Sequence, residues 1–340
     1  MRKVRMNRDK KMSSIFLAIF CTGRSLESFA FFVTAAFFAR YSANVVITNF
    51  AATLGAGLML SILQDTLSIL PRLRKEWHHV VINAILLSNS NLCSMAGLKY
   101  CGAYRYLLLS FLSHSVGPLT AYIFGSRGSQ HPGSLKGSAV MLVALTALSM
   151  STAYVEAQTP MGKVYGLPKA AVGFVLMLLS AVFEQLRMRY TKVLNVNKLG
   201  SSRSLHAVTV MMSAILQLPL ALMLYALGYE ATEFQMGTIP YLFMILFIMT
   251  YCIVFRFYIT GVGKRISRKQ RVVFTDFVVH VVVGSVLDFL RGLGDCTVFS
   301  TSFALAALLG LRLTLGKPKS SKDGLPFYDR PTKDGTQAAD

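Results

Sequence analysis

In the stretch KQRVVFTDFVVHVVVGSVLDFLRG, residues 269–292, Asp276, His280 and Asp288 interrupt a run of valine, phenylalanine and leucine. Asp276 and His280 are four residues apart, so on a helix they leave the same face one turn apart. A carboxylate and an imidazole so placed can share a proton, which reads as a proton or cation relay. They can equally clasp a neighbouring helix through hydrogen bonds. Asp288 falls roughly 18 Å farther along the same helix at 1.5 Å per residue. There it is expected to reach water, with Arg291 close enough to pair with it.

Other ionisable side chains stand in equally apolar surroundings, where desolvation of each costs several kcal/mol. Arg24 and Glu27 are three apart and read as a structural ion pair, as do Glu184 and Arg187. Arg256, in CIVFRFYITG, has no carboxylate at helical spacing. It needs an anionic partner from another helix or a bound anion, and Asp276 is the candidate partner. His114, with Ser113 and Ser115, precedes Gly117 and Pro118, which are expected to bend their helix. The candidate substrate or proton pathway is therefore Asp276, His280, Arg256 and His114. Zinc requires about four N, O or S ligands, or three at a catalytic site, and this helix offers two, so no metal site and no cofactor are assigned. The five cysteines are too scattered for a disulfide framework or a CxxC clip. No nucleophile–base pair stands at a workable spacing, and no enzymatic activity is expected.

The elements that must position these groups follow from composition. The 340 residues are 54% hydrophobic and only 15% charged, against about 25% charged in soluble domains. A spanning helix needs about 20 mostly apolar residues. Ten such segments are readable, near 14–38, 43–70, 79–98, 103–124, 135–153, 168–188, 205–227, 239–262, 271–290 and 296–315. The fold expected is all-α, a polytopic membrane helix bundle. Residues 1–12 form a basic tail, 13–316 the ten-helix domain and 317–340 a polar, disordered tail.

The net charge of +20 would suggest nucleic acid in a soluble chain. Here the basic residues lie between apolar runs, so the partner expected is the lipid bilayer and no nucleic acid. With ten spans, 27 of the 35 basic residues fall on one side of the membrane and six on the other. That bias places both termini in the cytosol. Ten helices also divide around the basic connection RMRYTKVLNVNKLGSSRS into halves 13–186 and 205–316. Each half then enters from the opposite side, as in the inverted repeats of many secondary transporters.

The hairpin AGLKYCGAYRYLLLSFLSHSVGPLTAYIFG resembles spans three and four of the drug/metabolite transporter superfamily, which has a ten-helix, five-plus-five architecture and includes nucleotide-sugar transporters. A closer resemblance is to the amino-terminal membrane half of the large Golgi-type zinc transporter of the cation diffusion facilitator family. KEWHHVVINAILLSNSNLCSMAGLKYCGAYRYLLLSF, KAAVGFVLMLLSAVFEQLRMRYTKVL and SLHAVTVMMSAILQLPLAL are similar to its successive segments, and SSKDGLPFYDRP to the linker that follows. That family binds zinc through paired HxxxD helices. The residues four beyond His78, His79, His114, His131, His206 and His280 are Ile82, Asn83, Pro118, Leu135, Val210 and Gly284. The resemblance thus implies a Golgi or other endomembrane address and a role in zinc transport or homeostasis as a transporter-like or regulatory module. It implies a cation diffusion facilitator subunit as partner and zinc as candidate substrate, without transferring a zinc site. Two alternatives stand beside it: an exchanger for a nucleotide sugar or other small anion that Arg256 contacts, and a membrane scaffold that transports nothing.

Overall fold

The computed structural model of the chain describes residues 2–64, 66, 77–123, 132–159, 162–164, 166–193, 202–229, 237–263, 266 and 269–315. The tail 317–340 lies outside them, as does most of the connection dividing the halves. Among the described residues ten helical rods follow one another. They are α1 (Arg2–Tyr41), α2 (Val45–Leu63), α3 (Trp77–Cys101), α4 (Ala103–Leu109 and Leu112–Ile123), α5 (Pro132–Ala157), α6 (Lys169–Val193), α7 (Ser202–Ala226), α8 (Thr238–Gly263), α9 (Lys269–Arg291) and α10 (Val298–Thr314). Helix α1 begins within the basic tail, at Arg2. A two-residue hairpin, β1 (Lys163–Val164) and β2 (Leu167–Pro168), joins α5 to α6.

Eight of the rods, all but α4 and α10, are long and apolar enough to cross a bilayer. The chain is an integral membrane protein. Its surface agrees with that: Ile62, Phe289, Val298 and Phe299 expose 74–83% of their area. Small polar residues such as Ser28, Thr53, Asn83, Ser138 and Ser213 are buried. This is the distribution of helices that meet lipid outside and each other inside, where small side chains allow close approach.

Local signals end the rods. Asn44 caps α2 by accepting from the Val46 and Ile47 N–H groups at 3.0 and 3.3 Å. Thr297 and Ser300 form a capping box at α10. Gly102 turns the chain between α3 and α4 at φ 77°, a conformation that a side chain resists.

Helix α4 is the central element. In its first segment Tyr104, Tyr106, Leu107, Leu108 and Leu109 are all buried and Arg105 is the exception. The helix is interrupted between Leu109 and Leu112, ahead of Pro118, which lies inside its second segment. At the interruption the Phe111 and His114 N–H groups bond to carbonyls three residues back. Gly117 instead provides space for the Gln185 side chain of α6.

Helix α3 packs on α6, α5 on α10, α7 on both α2 and α3, and α1 on both α8 and α9. Helix α4 packs its first segment on α9 and its second on α5 and α6. The α5–α10 contact is a backbone approach: a Cβ at Gly310 would lie 2.6 Å from the Met141 nitrogen. Passage alternates. Chain starts and ends meet at one end of the bundle, here called proximal, where Gly263 of α8 meets Phe20 of α1 and Gly137 meets Thr314. The α1–α2, α3–α4, α5–α6 and α9–α10 turns gather at the opposite, distal end.

Candidate functional site: a buried chain of ion pairs

Helix α1 carries Arg24 and Glu27 to the interface with α8 and α9. Both are buried, and they pair with each other as their spacing predicts. The pair is not self-contained. Glu27 turns its second oxygen, Oε1, to Arg256 Nε of α8 at 3.3 Å. Arg24 Nε lies 3.0 Å from Asp276 Oδ1 of α9, an ion pair not aligned as a hydrogen bond. Asp276 in turn meets His280, whose Nδ1 is 3.1 Å from Oδ1. The result is one alternating chain, Arg256–Glu27–Arg24–Asp276–His280, tying α8, α1 and α9 together.

This corrects the expected pairing of Arg256 with Asp276. Glu27 takes Arg256 and Arg24 takes Asp276, because α1 packs on both α8 and α9 and places its own charges between them. His280 is buried, and its Nδ1 is 2.8 Å from the Asp276 backbone oxygen. A carbonyl only accepts, so Nδ1 carries the hydrogen and a neutral ring leaves Nε2 as the acceptor. Phe111 packs against both His280 and His114, with its ring centroid 5.6 Å from the first and 5.7 Å from the second. His114 lies within electrostatic reach of Asp276. The fold thus brings all four pathway candidates, Asp276, His280, Arg256 and His114, into one region and adds Arg24 and Glu27 to it.

Glu184 and Arg187 pair as expected, through contacts of 2.7 and 2.9 Å near the proximal end of α6. Asp288 does not reach water. It is 1% exposed, and its Oδ2 accepts from the Cys296 N–H at 2.7 Å, which holds the α9–α10 turn. Arg291 does not pair with it but donates to the Phe32 carbonyl of α1 at 3.0 Å. The turn folds back over the helix end, which a linear reading of α9 cannot show.

A second cluster, unmarked by helical spacing in the sequence, closes the distal end. Arg105 at the start of α4 pairs with Glu156 of α5 at 3.1 Å and with Asp295 of the α9–α10 turn. Glu156 also accepts from the Ala170 N–H of α6 at 2.7 Å. Lys99 donates to the Ala43 carbonyl in the α1–α2 turn at 3.0 Å. Burial pushes the Asp295 carboxyl above its usual range, with Arg105 drawing it back down.

Among the described residues no group of three His, Cys, Asp or Glu side chains converges to hold a metal ion. The five cysteines are free thiols. No family model matches the chain, and no curated protein matches it. Among solved structures, one described as "Crystal structure of protein" aligns over 86% of this chain and 96% of its own, at 15% identity and a TM-score of 0.47, a likeness too distant to bear on fold or function.

Proposed function

We propose that the chain is a transporter-like membrane module of the endomembrane system, built as a five-plus-five inverted repeat. It acts in zinc homeostasis beside a zinc-moving cation diffusion facilitator subunit. One observation carries the architecture. Exchanging α1–α5 with α6–α10 in order maps most of the contacts between halves onto one another, with α5–α6 and α4–α10 lacking a comparable counterpart. The α3–α6 contact becomes α8–α1, α3–α7 becomes α8–α2, and α1–α9 becomes α6–α4, and all six are present. The α2–α7, α4–α9 and α5–α10 contacts map onto themselves. Contacts between consecutive helices follow the exchange less closely.

The resemblance of the quoted segments supports the zinc reading and the Golgi address, and the bias of basic residues supports the cytosolic placement of both termini. No zinc ion passes through the buried chain, whose carboxylates already face guanidinium groups. The test has two arms. The protein should co-purify with a cation diffusion facilitator subunit from detergent extracts. Its deletion should change the signal of a fluorescent zinc sensor targeted to the secretory pathway. Absence of both effects in cells that normally express the protein would overturn the proposal.

A further inference from the structure

The buried chain distributes its charges unevenly. Arg24 faces two carboxylates, Glu27 and Asp276. Arg256 has a share of one, a single 3.3 Å contact through Nε to a carboxylate that also serves Arg24. Among the described residues its two Nη groups donate to nothing. The side chain is 47% exposed, whereas Glu27 is 1% exposed.

That exposure is not exposure to the outer surface. Glu27 of α1, Tyr106 of α4, Glu184 of α6 and Asp276 of α9 all lie within electrostatic reach of Arg256. Groups on four other helices therefore lie near it, which sets the guanidinium toward the inner side of the bundle. Helix α8 also departs from regular geometry immediately before it: Ile248–Phe255 is π-helical and Arg256 is the next residue. A π segment widens the helix and turns the residues after it to a new face. Such segments are rare and are concentrated at functional sites.

We propose that Arg256 binds a small oxyanion inside the bundle, entering from the proximal end. A guanidinium offers two parallel N–H groups that match a phosphate or carboxylate edge, and here both Nη groups are uncommitted. A cation is the wrong occupant, because Glu27, Asp276 and both oxygens of Glu184 are already engaged by arginine. The approach follows from the ends of the bundle. The distal end is cross-tied by Arg105, Glu156 and Asp295 and by Lys99 and Arg291. Arg256 lies roughly 10 Å from the proximal end of α8 at 1.5 Å per residue. This inference does not depend on the zinc reading.

The oxyanion could be a soluble solute or a lipid headgroup, and one experiment separates them. The full chain in a phosphate-free maltoside detergent is treated with phenylglyoxal, which modifies accessible arginines, and the sites are mapped by mass spectrometry. Millimolar inorganic phosphate should slow modification of Arg256 at least five-fold and leave the exposed Arg312 unchanged. Protection by dioctanoyl phosphatidic acid but not by phosphate assigns the same site to a lipid headgroup. Protection by neither overturns the proposal. Equilibrium dialysis with radiolabelled phosphate gives the second readout. Arg256→Lys, which keeps the charge and loses the fork, should weaken binding, Arg256→Gln should abolish it, and Arg312→Gln should not alter it. Undiminished binding by monodisperse Arg256→Gln protein would also overturn the proposal.

Discussion

Glu27 is the residue on which the interior depends most. Its two oxygens hold two arginines from different helices, and it is almost wholly buried. Removing one partner of a buried ion pair costs about 3–5 kcal/mol, because a charge is left without compensation. Arg256 is partly open and Arg24 keeps Asp276, so the lower figure, about 3 kcal/mol, is expected for Glu27→Gln. Glu184→Gln, in a more open pair that serves a single arginine, should cost less. Thermal unfolding of the two variants in the same detergent compares them, and equal midpoints would contradict the central place given to Glu27. The sequence made the Arg24–Glu27 pair legible from its spacing, and it marked Arg256 as needing an anion from elsewhere. It could not show that Glu27 serves both, since the contact joins residues of α1 and α8 that only tertiary packing brings together. Asp288 departs from its expected exposure for a related reason. Its partner, the Cys296 N–H, lies beyond the helix end and returns over it.

At the scale of elements, the apolar runs and their flanking charges gave most of the rods to within a few residues, although α1 already begins at Arg2 against the expected 14 and α2 ends at Leu63 against the expected 70. The expected 79–98 is Trp77–Cys101 and the expected 239–262 is Thr238–Gly263. The interruption of α4 and the π segment of α8 were not legible. Neither contains a glycine or proline that would mark it in the sequence. The distal lock was missed as well. Arg105, Glu156 and Asp295 are far apart in sequence and read separately as residues at helix ends. Two expectations follow from it. Arg105→Gln removes the shared partner of both carboxylates and should loosen the distal end. Maleimide labelling of Cys101, buried beside the lock in the intact chain, should then rise several-fold, and unchanged labelling would argue against a lock.

The second expectation concerns pH. The folded Asp295 carboxyl holds its proton above the unfolded value of about 4. Between those two values the folded chain binds more protons than the unfolded one, so stability falls as pH rises. The contribution is complete below about pH 4 and is lost through the raised value. Asp295→Asn should flatten that part of the curve of unfolding midpoint against pH. A curve identical to that of the unmodified protein would contradict the assignment.

At the scale of the whole molecule, composition alone indicates a chain surrounded by lipid, and the eight long apolar helices agree. The alternation of basic and non-basic connections points to an even number of passes. Alternating passage is also the arrangement that gathers four turns at the distal end. The most direct measurement is the sidedness of two connections. Glycosylation tags, or single cysteines in a chain whose own five cysteines are replaced by serine, would be placed in the 187–204 connection and beside Glu230, in intact membrane vesicles. The account predicts opposite faces, with the 187–204 tag on the side of both termini. Both tags reacting from the same face would contradict it.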